Sequence, residues 1–77
     1  MSASTELVLI LMTAERPIAL HEAQSRIREI YGSCHETTAL SARIRSGAKD
    51  YAARIGFVIK SKRAPNSAKH LYWLERV

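Results

Sequence analysis

Seventy-seven residues make a single domain, 1–77, near the small end of what folds on one core without metal or disulfides. Apolar residues form 47% of the chain and charged residues 25%, which argues against disorder; the lone cysteine, Cys34, rules out an internal disulfide and points to a reducing cytoplasm. The charge is uneven: residues 1–40 carry Arg16, Arg26 and Arg28 against Glu6, Glu15, Glu22, Glu29 and Glu36, whereas residues 41–70 carry Arg43, Arg45, Lys49, Arg54, Lys60, Lys62, Arg63 and Lys69 against Asp50 alone. So dense a basic block makes a polyanion the first partner to consider, because neutralising phosphates releases counterions and drives binding.

In chain order, Ser4 and Thr5 offer capping oxygens and Glu6 an acidic first turn ahead of Leu7-Val8-Leu9-Ile10-Leu11-Met12. Six successive apolar residues have no period, and strand competes with helix; leucine, methionine and the caps favour a first helix. The run is too short to span a bilayer and lacks the basic flank and cleavage site of a signal peptide. In a three-helix domain one side of this helix stays uncovered, so Leu7, Leu9, Ile10 and Met12 are expected to form a homodimer face, the alternative being singly exposed apolar side chains.

Pro17 ends the helix, and Pro17 to Ala19 suits a very short strand. Leu20, Ala23, Ile27, Ile30 and Tyr31 then form a helical stripe, supported by Glu22 and Arg26 four apart, and Gly32 is the stop. Ser33-Cys34-His35-Glu36 has the form of a capping box and opens a third helix. Its inward stripe of Leu40, Ile44, Gly47, Tyr51 and Ile55 predicts one long helix to about Ile55, kinked at Gly47; a break at Ser46-Gly47 into two helices is the alternative. Beyond Gly56, Phe57 to Arg63 and Leu71 to Leu74 read as strands, joined by turn chemistry from Ala64 to Lys69. Tyr72 and Trp73 must face opposite ways; Trp73 is the one expected in the core.

Helix, short strand, helix, tight turn, helix and hairpin is the order of an α+β winged helix-turn-helix domain, whose third helix enters the major groove and whose wing lies along the backbone. Through Thr38-Ala39-Leu40-Ser41-Ala42-Arg43-Ile44, Gly56-Phe57-Val58-Ile59 and Tyr72-Trp73, the chain resembles small phage- and prophage-type winged-helix proteins from about Pro17 to Leu74. It departs from them in the stretch from Arg45 to Ile55, where such domains usually reach the glycine sooner. The resemblance implies a cytoplasmic double-stranded DNA-binding protein, a small transcriptional regulator or an architectural relative.

With Leu40 and Ile44 inward, helical geometry turns His35, Thr38, Ala42, Arg45 and Lys49 outward and leaves Ser41 on the flank. Arg45 suits a bidentate guanine contact, Thr38 and Ser41 a base or phosphate, and the Ala42 methyl a thymine methyl. Arg43, beside the core stripe, is assigned a structural or phosphate role. Ser33, Thr37 and the free N–H groups at the helix start suit a phosphate oxygen. On the hairpin, Lys60, Lys62, Arg63 and Lys69 are backbone or minor-groove candidates, the bland alternative being a basic hairpin that keeps an edge strand from aggregating.

Other chemistry is not expected. His21, His35, His70 and Cys34 match no zinc spacing, and no phosphate loop, nucleophile elbow or carboxylate pair occurs, so no enzyme, metal or cofactor is anticipated. The rival reading is a winged-helix protein-interaction module whose basic face docks an acidic protein. RNA binding ranks lower because only one exposed aromatic would be available for stacking.

Overall fold

The structure is a computed structural model and describes residues 2–67 and 69–77. Four helices, α1 (Ala3–Thr13), α2 (Leu20–Tyr31), α3 (Thr37–Arg45) and α4 (Gly47–Arg54), precede two antiparallel strands, β1 (Phe57–Arg63) and β2 (His70–Arg76). The class is α+β, as expected, with four helices rather than three. No helix among the described residues is long and apolar enough to cross a membrane.

Helix α1 lies at the centre. Its cap is Ser2, whose Oγ accepts from Thr5 N at 3.2 Å; Ser4, read from sequence as a cap, is buried inside the helix. Leu7, Val8, Ile10 and Leu11 are buried because α1 packs against α2, α3, α4 and β2 together. A dimer face made of Leu7 and Ile10 is therefore corrected: the fourth helix supplies the cover that a three-helix domain would have lacked. Leu9 stays half-buried and Met12 41% exposed.

Where Pro17 to Ala19 suggested a very short strand, only Ile18, fully buried, makes an isolated bridge. It exchanges both backbone hydrogen bonds with Tyr72, at 3.0 and 2.8 Å, and so adds a single bridge to β2. Helix α2 buries Ala23 and Ile27 and stops at Gly32, whose φ of +72° a side chain would strain. Ile30 departs from its expected place on the stripe and is 62% exposed.

The long third helix is broken. At Ser46 the backbone takes φ −135°, ψ −92°, and the stripe read through Gly47, Tyr51 and Ile55 gives way to Ala48 and Ala52 as the buried positions of α4. Gly47 is no kink residue. A Cβ built there would collide with Ser4 Oγ and stand 3.3 Å from Ser4 Cβ, so its hydrogen lets α4 close onto α1.

The hairpin pairs Phe57 with Arg76, Ile59 with Leu74 and Ser61 with Tyr72 on its inner face, and Val58 with Glu75, Lys60 with Trp73 and Lys62 with Leu71 on its outer face. Phe57, Ile59, Tyr72 and Leu74 pack on the core. Alternation thus puts Tyr72 inside and Trp73 outside, the reverse of the sequence expectation for Trp73. At the tip, Ala64 N donates to Lys69 O at 2.8 Å and Asn66 takes φ +57°, the turn that Pro65-Asn66-Ser67 suggested; Ala68 lies outside the described residues.

Candidate nucleic-acid interface

The turn between α2 and α3 is held from below by α1. Glu6, 3% exposed, accepts a hydrogen bond from Ser33 Oγ at 3.0 Å on one carboxylate oxygen, and its other oxygen lies 2.8 Å from His35 Nε2. His35 is fixed a second time, its carbonyl accepting from Gln24 Nε2 at 2.8 Å. The capping box is therefore corrected: Ser33 spends its hydroxyl on Glu6, and Glu36, the residue before α3, makes no side-chain cap. A buried carboxylate without partners costs far more than an exposed helix end wetted by water, which is why Glu6 wins the competition for Ser33.

This relocates two candidate contacts. Ser33 and His35 brace the turn and are withdrawn from the DNA-facing set. The phosphate seat expected at the start of α3 is weakened as well, since Glu36 leaves an exposed carboxylate there.

The outward face of α3 carries Thr38, Ala42 and Arg45, all exposed as predicted, with Ser41 half-buried on the flank. Ala39 and Arg43 join them. Arg43 was assigned a place beside the core, yet it is exposed; its Cδ would lie 3.9 Å from a Cβ at Gly47, so its stem runs over the α3–α4 break while the guanidinium reaches solvent. Thr37, half-buried, lines a cleft of about 280 Å³ with His21 and Leu20 of α2 and Lys69 and His70 of the hairpin. Reading the chain locally had missed His21 and His70, because only the tertiary fold brings α2 and the hairpin tip together. Lys49 is exposed on α4, a separate helix, and Arg54 is exposed near its end.

On the hairpin, Lys60, Lys62, Arg63 and Lys69 are all exposed, but not on one surface. Lys60 and Lys62 stand on the outer face opposite Trp73 and Leu71, whereas Arg63 stands on the other face opposite His70. Arg63 Nε donates to Ser67 O at 3.0 Å, which ties its stem to the turn.

Two of the three cations of the first forty residues are ion-paired, and Arg28 is not, among the described residues. Arg16 and Arg26 share Glu22 Oε2 at 2.7 and 2.8 Å. Partial burial of Glu22 works against its ionisation, but hydrogen bonds and attraction from the two guanidinium groups outweigh it and hold the carboxyl below its ordinary value. By contrast, among the described residues no carboxylate lies within ion-pair distance of Arg43, Arg45, Lys49, Arg54, Lys60, Lys62, Arg63 or Lys69. These side chains are uncompensated and hydrated, the state from which phosphate contact gains most.

No cluster of three or more metal-ligating side chains occurs among the described residues. Cys34 is exposed in the turn. No protein-family model, curated protein or solved structure matches the chain.

Proposed function

We propose that the chain is a sequence-specific double-stranded DNA-binding protein of winged helix-turn-helix type, acting as a small transcriptional regulator. Helix α2, the braced turn and α3 form the helix-turn-helix; α3 enters the major groove and the hairpin serves as the wing. The observation that carries this reading is the distribution of charge: among the described residues nine cations on α3, α4 and the hairpin have no carboxylate within ion-pair distance, while Arg16 and Arg26 are spent on Glu22.

Within this reading Arg45 is the leading base contact, bidentate to guanine O6 and N7, with Thr38, Ala39 and Ala42 beside it on the exposed face of α3. Arg43, Ser41 and Lys49 flank that face and bind phosphates. Lys62, Arg63 and Lys69, nearest the wing tip, grip the backbone beyond the groove. Thr37 lies where α3 approaches the wing tip, beside Lys69.

Selection from a randomised duplex pool tests the proposal. Enrichment of one short motif, lost on Arg45→Ala, supports it; a pool that stays random through repeated rounds, with no retention of any duplex, removes it and favours docking of an acidic protein on the same face.

A further inference from the structure

The cleft where α2 and α3 meet the hairpin tip gathers groups of one sign. Its polar lining is His21, Thr37, Lys69, His70 and Tyr72, and no carboxylate belongs to it. His21 and His70 are exposed, and neither imidazole makes a hydrogen bond or an ion pair among the described residues, in contrast to His35, which Glu6 holds. The ring of Tyr72 lies 6.5 Å from that of His70, centroid to centroid. Arg63 stands across the ladder from His70, outside the lining, with its stem bonded to the Ser67 carbonyl.

The acids nearest in sequence are engaged elsewhere. Glu22, next to His21, is shared by Arg16 and Arg26, and Glu36, next to Thr37, lines a separate cleft with Arg28 and His35. Among the described residues no carboxylate lies within ion-pair distance of His21, Lys69 or His70. Of the side-chain types in the lining, only imidazole changes charge between about pH 5 and about pH 8. Lys69 is therefore the constant cation of the cleft, and the two histidines are its variable ones. Once protonated, they and Lys69 repel one another, and an anion between them removes that repulsion. A phosphate suits the place, because its oxygens accept charge-assisted hydrogen bonds from imidazolium and ammonium together with one from the Thr37 hydroxyl.

We propose that this cleft binds a phosphate of the DNA backbone, and that protonation of His21 and His70 tightens DNA binding as pH falls. The proposal rests on the DNA-binding reading above. Under that reading α3 lies in the major groove and the wing tip on the backbone; the cleft opens between Thr37 at the start of the one and Lys69 and His70 at the tip of the other. Linkage gives the sign. A phosphate seated against the rings favours their protonated form, so the complex binds more protons than the separated partners and acid strengthens it. Free inorganic phosphate offers the same oxygens, but α3 and the wing hold the duplex over the cleft and raise the local phosphate concentration there.

Anisotropy of a labelled duplex at fixed salt, from about pH 8 down to about pH 5.5, tests it together with proton NMR of the imidazoles. The wild type should bind about tenfold more tightly at the acid end. His21→Gln and His70→Gln should each reduce that gain to about threefold, and the double variant should abolish it. Both rings are exposed, so circular dichroism of the variants should match the wild type. In the NMR arm both rings should titrate at higher pH with duplex bound than without, whereas inorganic phosphate at the same phosphate concentration should leave them in place. An equal rise with inorganic phosphate would mark a free-anion site and overturn the assignment to DNA. Duplex binding that ignores pH, or a pH dependence that the double variant keeps, overturns the proposal and leaves the DNA reading standing; no duplex binding at any pH overturns both.

Discussion

Glu6 Oε1 and His35 Nε2 lie 2.8 Å apart across 29 residues of sequence, joining the first turn of α1 to the turn between α2 and α3. With Ser33 on the other carboxylate oxygen, this contact sets where α3 begins and how it leaves the body of the domain.

The contact is asymmetric, and the asymmetry is measurable. His35 is 25% exposed, so water can replace a lost partner there, whereas the carboxylate it serves is almost fully buried. His35→Ala should cost about 3 kcal/mol by leaving that carboxylate with Ser33 alone. Glu6→Gln keeps the shape and a hydrogen-bonding oxygen and should cost only about 1 kcal/mol. Urea unfolding of the two variants checks the order; equal losses would mean that the carboxylate is not what His35 supports.

Gly47→Ala should destabilise although alanine favours helix. The added methyl meets Ser4 at the α1–α4 contact, and relieving the overlap costs about 1 kcal/mol net of the gain in propensity. In a Ser4→Ala background, where the obstructing hydroxyl is gone, the loss should shrink, which thermal unfolding of the four proteins would resolve.

Glu22 makes a specific contribution to pH dependence. Its carboxyl is held below the ordinary glutamate value in the folded protein, so the unfolded chain binds the proton more readily in acid. The stabilisation is complete above the ordinary carboxylate range and falls away as pH drops through and below it. Glu22→Gln should therefore flatten the melting temperature between about pH 6 and about pH 3 relative to wild type, with little change in slope above that window.

Among DNA contacts the expected effects differ in kind. Arg45→Ala should weaken binding to the selected site by about 1 to 3 kcal/mol and relax base preference at one position. A uniform loss across all sequences would make Arg45 a phosphate contact. Replacing Lys62 and Arg63 together should lower the magnitude of the salt slope by about 2 while leaving the preferred motif unchanged, as anisotropy at graded salt would show.

The elements that sequence reading located are those set by local chemistry. Gly32 stops α2 because the stop needs positive φ, and Phe57 to Arg63 is a strand because it opens on the aromatic and β-branched run Phe57-Val58-Ile59 and pairs with β2. The places where reading failed are tertiary. Ser33 and Glu36 satisfy a local capping pattern, but a buried acid 27 residues upstream outbids it; the available signal was Glu6 itself, a charge abutting a helix apolar on nearly every side. The stripe from Leu40 to Ile55 looked continuous because its spacing survives a one-residue break, while the alanines that α4 actually buries carry little hydrophobic signal. The exposure of Thr38, Ala42 and Arg45 on α3 followed from helical geometry, but that of Arg43 did not, nor did the cleft that His21 and His70 both line, since no local rule brings α2 to the hairpin tip.

Fluorescence anisotropy of a labelled mixed-sequence duplex, titrated with protein at several salt concentrations, addresses the central claim. The unpaired cations of α3, α4 and the wing predict micromolar or tighter binding at low salt, with the logarithm of the binding constant falling linearly and steeply against the logarithm of salt concentration. Absence of binding even at the lowest salt would contradict the account.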